Sequence, residues 1–169
     1  IRRTKQAAVE ALVKLGTNGA YEALHTASRG TDAELKACAL SEIGRLAPDE
    51  AVDLIVDELH NDDDDAVIEE AAEGLITTFT ESDFEDGHTV REQALAEMDD
   101  DVDDAVSDEF ASIVDESPRK PEQRNAAWVL GQLESDTEDT VESLLAALDD
   151  DDDYLRIIAA AGLTTLDSS

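Results

Sequence analysis

The chain has 169 residues, one domain's worth, and carries a formal net charge of −32 from 44 Asp and Glu against 12 Lys and Arg. Such a charge repels phosphates and disfavours nucleic-acid binding, and no apolar run approaches membrane-spanning length. The one cysteine, Cys38, excludes an internal disulfide and fits a reducing cytosol; with no visible signal peptide, the expected location is cytoplasmic.

Taken in order, residues 3–15 are predicted as a first helix and 18–29 as a second, with Gly16 as the C-cap between them. In the next pair Leu35, Ala39, Ile43 and Leu46 share one helix face. After a break at Ala47-Pro48, Val52, Ile55, Val56 and Leu59 share another at i, i+3, i+4, i+7. Asp49 or Glu50 suits the start of that second helix, and the run Asp62 to Asp65 supplies a turn and an N-cap. Residues 66–79 read as a helix, 80–88 as a longer loop, 89–98 as its partner helix, and about 102–115 as another. Pro118 and Pro121 then forbid a long helix in DESPRKPE, so the stretch 102–120 is irregular. A further pair fills 121–149, and a last helix spans 153–166.

The pattern repeats. A small residue, an apolar anchor four later and an apolar residue three beyond give Ala8/Leu12/Leu15, Ala39/Ile43/Leu46 and Ala71/Leu75/Thr78. The series continues as Val106/Phe110/Ile113, Ala126/Leu130/Leu133 and Ala159/Leu163/Leu166. Except for the short step from Phe110 to Leu130, the anchors recur at the length of one helix-turn-helix unit, which signals a solenoid. A small residue on such a face lets two helices approach closely. The segments TKQAAVEALVKL, LKACALSEIGRL, EQRNAAWVLGQL and YLRIIAAAGLTTL, with AVDLIVDELHNDDDD and TVESLLAALDDDDD after the second and third, resemble HEAT repeats of the short subgroup first noted in phycobilisome bilin lyases. The resemblance implies an all-α fold, an α-α superhelix of about five to six helix-turn-helix repeats with one irregular near 102–121. The expected organisation is a single domain over 1–169, with repeats at about 3–30, 33–61, 64–98, 102–120 (irregular) and 121–149, and a half repeat at 153–166. It says little about activity, since one scaffold serves many functions.

An acid-rich composition with only four lysines resembles cytoplasmic proteins of extreme halophiles, where molar salt screens self-repulsion. High net charge with few aromatics also marks disorder, but regular 3.6-residue stripes argue against it outside the loops. The charge is uneven. Residues 1–45 hold seven basic and five acidic side chains, a net of +2, and the remainder a net of −34. Either the first repeat meets an acidic partner, the acidic flank of another copy or chain that is missing, or the bias is chance. The start at Ile1 without Met, and the apolar Ile157, Ile158, Leu163 and Leu166 in the last helix, suggest a fragment or self-association through the terminal helices.

Candidate partner-binding residues follow from these features. The basic N-terminal end offers Arg2, Arg3, Lys5 and Arg29, and the irregular loop Arg119 and Lys120. The exposed side of the second helices offers an acidic row, Glu22, Asp53, Glu92 and Glu142, together with Asp57 and His60; a basic segment or amphipathic helix fits such a groove. His25 falls on an inward position, where a bonded core histidine is simpler than a ligand or base. Cys38 lacks a neighbouring base and reads as a small buried hydrophobe; Trp128 reads as packing. The Asp-rich runs 62–65, 99–104 and 149–153 do not follow a calcium-loop pattern and suit helix caps. No His-Glu pairs of the di-iron HEAT-like hydroxylases occur, and nothing points to a tetrapyrrole, so neither catalytic nor metal residues nor a cofactor are expected. The expected function is a non-catalytic protein–protein interaction scaffold or adaptor in a high-salt cytoplasm, bound to another protein rather than to nucleic acid or membrane. The alternative is a lyase-like or chaperone-like helper for cofactor attachment to a partner.

Overall fold

The structure is a computed structural model and describes residues 2–46, 48–61, 64–82, 84–98 and 102–168. Every element among them is an α-helix: α1 (Arg2–Leu15), α2 (Asn18–Ser28), α3 (Ala33–Leu46), α4 (Pro48–Asn61), α5 (Asp65–Glu81), α6 (Phe84–Met98), α7 (Asp104–Glu116), α8 (Lys120–Gln132), α9 (Glu138–Ala147) and α10 (Asp153–Ser168). The fold of the described residues is all-α. It divides into two compact units, Ile1–Ala94 and Leu95–Ser169.

In the first unit α3 is the hub, packed by α1, α2, α4 and α5. Neighbours on most sides explain why Ala37, Cys38, Ala39, Leu40 and Ile43 are all buried there. The stripe Val52, Ile55, Val56, Leu59 of α4 is buried as its spacing requires, as are Ala71, Leu75 and Thr78 of α5. Thr78 answers its buried hydroxyl locally, donating to the Gly74 carbonyl at 2.8 Å. Asp64 caps α5 by accepting from the Ala66 N–H at 2.9 Å, so the acidic run there does start a helix. Gly16 stands after α1 at φ +60, where its N–H reaches the Leu12 and Val13 carbonyls and closes the helix.

Two expectations in this unit need correction. The first triplet does not face the core: Ala8 is exposed and Leu15 is 65% exposed, whereas Val9 is buried. α1 rests chiefly on α2 and α3, and their seam takes the neighbouring position. The loop expected over 80–88 is mostly helix, because α5 runs to Glu81 and α6 begins at Phe84. Ser82 ends α5 by donating its N–H to the Thr78 carbonyl. Val90, Ala94 and Met98 are buried along α6, and the Arg91 guanidinium lies 5.9 Å from the centre of the Phe79 ring. The break expected at Ala47 falls outside the described residues.

In the second unit the irregular segment supplies one helix, α7, which packs on both α8 and α9. Its buried face is Val106, Ser107, Phe110, Ala111 and Val114, and Asp103 caps its start. Pro121 does not prevent a helix but lies in the first turn of α8, where a missing N–H costs nothing. Helices α8 and α10 cross at two glycines. A Cβ on Gly131 would stand 3.1 Å from the Gly162 Cα, and one on Gly162 would stand 3.3 Å from the Gly131 Cα. This is the close approach that small residues permit.

Candidate functional site

The basic residues singled out in the sequence are largely engaged within the chain. Lys5 bridges to Asp32 at 2.8 Å and Glu34 at 3.2 Å, which raises its own pKa and, with the Leu35 N–H, lowers that of Asp32. Arg119 pairs with Glu122 at 3.1 Å and Lys120 with Asp150 at 2.8 Å. Arg3 and Arg29 are exposed, Arg29 as the C-cap of α2; the side chain of Arg2 lies outside the described ones.

Of the acidic row, Glu22, Asp53 and Glu92 are exposed on α2, α4 and α6, with Asp57 and His60 also exposed on α4. The structure ties α4 to α6 through Asp53, whose Oδ1 accepts from Gln93 Nε2 at 2.8 Å, and Glu92 pairs with His88 at 3.2 Å. Glu142 belongs to the other unit, on α9. There it lines a cleft of about 460 Å³ between α7 and α9, together with Asp108, Asp115, Asp139 and Ser143.

The cleft is set by polar ties one repeat apart. Ser143 Oγ donates to Asp115 Oδ2 at 2.9 Å, across 28 residues, and Thr137 Oγ1 donates to Asp108 Oδ1 at 3.0 Å, across 29. Each hydroxyl comes from α9 or its N-cap and orients one carboxylate of α7. A smaller cavity of about 130 Å³ shares Asp115 and Ser143 and extends to Gln123, which is only 8% exposed. Gln123 Nε2 donates to the Ser117 carbonyl at 2.9 Å, and that bond fixes the amide's orientation. Its Oε1 is then a buried acceptor with no hydrogen-bond partner, a condition that costs about 1–3 kcal/mol when nothing fills it.

The remaining cations of this unit serve its frame. Arg124 holds Asp152 with both carboxylate oxygens engaged, Nε to Oδ1 at 3.0 Å, and stacks 5.1 Å from the centre of the Tyr154 ring. The Arg124 hydrogen bonds, then the Leu155 N–H, hold the Asp152 carboxyl at about 2. Asp150 is lowered by Lys120 in the same way. Arg156 pairs with Asp153 and donates to the Asp150 carbonyl at 2.7 Å.

The α8–α9 pair and its Asp-rich exit carry the family match. Residues 122–150 match the PBS lyase HEAT-like repeat. Within the matched segment α9 is the second helix, and it lines one side of the cleft. The chain is also 32% identical, over 82 residues and 47% of its length, to a HEAT repeat-containing taxis protein of the halophile Halobacterium salinarum, and spans 20% of that relative. Among solved structures, a designed armadillo repeat protein superposes with a TM-score of 0.43 at 15% identity, covering 98% of this chain and 91% of its own. No helix among the described residues is long and apolar enough to cross a membrane, and no group of three or more His, Cys, Asp or Glu among them could hold a metal ion.

Sequence reasoning missed Asp108, Asp115, Asp139, Gln123 and Ser143. For Asp108, Asp115 and Ser143 the signal was polar pairing at one repeat length, the spacing that also joins Lys120 to Asp150 across 30 residues and Arg124 to Asp152 across 28; Gln123 and Asp139 carried no such signal.

Proposed function

We propose that the chain is a non-catalytic protein–protein interaction scaffold, an adaptor that works in a salt-loaded cytoplasm. The observation that carries this reading is charge segregation on a repeat frame: a net of +2 over residues 1–45 and −34 over the rest. Two stretches of opposite charge on a helical chain suit recognition of a partner by charge. The halophile relative supports the high-salt setting, and its place in taxis makes a taxis complex one form that the scaffold would take. The exposed Arg3 and Arg29 and the acidic second helices are the contact surfaces of this reading.

The test is capture of partners from source-cell lysate in molar KCl, with cross-links mapped by mass spectrometry. Wild type runs beside a variant carrying Arg2→Glu, Arg3→Glu and Arg29→Glu. A discrete protein cross-linked to α1 or α2 and lost in the variant supports the N-terminal surface. The same protein retained and cross-linked to the second unit supports the acidic one. Capture of no protein by either chain overturns the scaffold reading.

A further inference from the structure

Between residues 95 and 169 stand 22 Asp and Glu but only four Lys and Arg. All four basic side chains are paired within the unit: Arg119 with Glu122, Lys120 with Asp150, Arg124 with Asp152 and Arg156 with Asp153. None of them lines the α7–α9 cleft, where Asp108, Asp115, Asp139 and Glu142 gather. The cleft is thus a site of concentrated negative charge for which the unit has no cation left.

A carboxylate cluster alone would be satisfied by water and diffuse salt. The decisive addition is Gln123, a neutral acceptor in the adjoining cavity, nine-tenths buried and with Oε1 lacking a donor. Asp115 and Ser143 line both spaces, and Gln123 lines the smaller one with Asp150, so the carboxylates and a buried amide acceptor adjoin. What answers them is a long side chain with an apolar stem and an N–H-rich cationic head.

We propose that the α7–α9 cleft receives a basic segment of a partner protein, with one Lys or Arg side chain entering the cavity between Asp115 and Gln123. Further basic residues of the segment lie over Asp108, Asp139 and Glu142. Charge complementarity selects this occupant over an acidic or apolar one, and the small inner cavity selects a single extended side chain. The inference rests on the scaffold reading and names the chemistry of the partner and its point of entry.

The test uses the full chain and a fluorescein-labelled peptide of alternating lysine and alanine, read by anisotropy at about 0.1 M and about 1 M KCl. Three proteins are compared: wild type, Asp115→Asn/Glu142→Gln, and Glu22→Gln/Asp53→Asn, which removes equal charge from the first unit. All four positions are exposed, and the amide oxygens introduced at positions 115 and 53 can still accept the Ser143 and Gln93 hydrogen bonds. The expected result is a loss of about tenfold or more in affinity for the cleft variant alone. In the wild type, the Gln123 side-chain amide signals should shift on peptide addition. Equal losses in both variants mean general attraction to an acidic surface and overturn the proposal, as do unmoved Gln123 signals. Spermidine binding as tightly as the peptide assigns the cleft to a small polycation and overturns the protein-segment reading. These failures leave the scaffold reading intact, because partner capture is read separately; capture failing while the peptide binds the cleft overturns that reading instead.

Discussion

Glycine to alanine is a single chemical change that should have three different outcomes here. Gly131 is the penultimate residue of α8, so alanine's propensity gains at most about 1 kcal/mol there. Against this, the new Cβ would lie 3.1 Å from the Gly162 Cα, where carbon atoms ordinarily rest about 3.5–4.0 Å apart. The neighbour is backbone of a packed helix, so relief requires α10 to move relative to α8, an overpacking cost of about 1–3 kcal/mol. The balance is a net loss of about 1 kcal/mol, or about 3 °C in Tm for a chain of this size. Gly19 has nothing within 4 Å and sits in the first turn of α2, so Gly19→Ala should be neutral or gain a few tenths of a kcal/mol. Gly16 also has open space, but its φ of +60 makes Gly16→Ala cost about 1 kcal/mol, and asparagine should recover part of it. Urea unfolding in molar KCl, with equal slopes required for comparison, measures all three. A stabilising Gly131→Ala would refute the account of the α8–α10 crossing.

Acid and salt probe the charges. Asp152 sits at about 2 against an ordinary 3.8, so its bond to Arg124 stabilises the fold above 3.8 and that contribution is lost as pH falls through 2. The lowered Asp150 and Asp32 act in the same direction. NMR titration of the Asp152 carboxyl should show the depressed midpoint, and Arg124→Gln should move it up; a midpoint of 3.8 in the wild type would contradict the pairing. Raising KCl from about 0.1 to about 1 M shortens the screening length from about 10 to about 3 Å. With a net charge of −32, the Tm by circular dichroism should rise across that range, and a flat or falling Tm would show that self-repulsion does not limit stability.

Much of the frame is legible in the sequence because periodicity reports which face a helix buries. Val52, Ile55, Val56 and Leu59 form one stripe with only one way to face a core, and all are buried. α1 is harder: Ala7, Ala8, Val9, Ala11, Leu12 and Val13 are apolar around the single Glu10, so the pattern admits several faces and only the neighbours choose Val9. The segment 80–88 reads as a loop from Ser, Asp and Gly content, yet α5 runs to Glu81 and α6 begins at Phe84. The cleft was least legible. Gln123 and Ser143 are ordinary polar residues in sequence, and nothing about either alone marks a site. They come together only through the register of α7 against α9 and of α8 against the turn at Ser117.

That register makes charge placement a property of the repeat itself. A residue and its equivalent one unit later stand side by side in the stack, so a basic side chain in one unit and an acid about 28–30 residues on become an ion pair, as at Arg124–Asp152 and Lys120–Asp150. Such ties explain why the scarce cations of the second unit sit where they do: each neutralises an acid at the frame. In a chain this acidic, cations spent on the frame leave the α7–α9 cleft charged. Removing one tie by Lys120→Gln should loosen the α8 start from Asp150, which lines the smaller cavity but not the α7–α9 cleft itself. Replacing Ser143 by alanine should do the reverse, freeing Asp115 and weakening the peptide while barely changing Tm. Lys120 bonds Asp150, and Ser143 bonds Asp115 and the Ala111 carbonyl; opposite patterns in binding and stability would separate the frame from the site, and matching patterns would show that the two are one network.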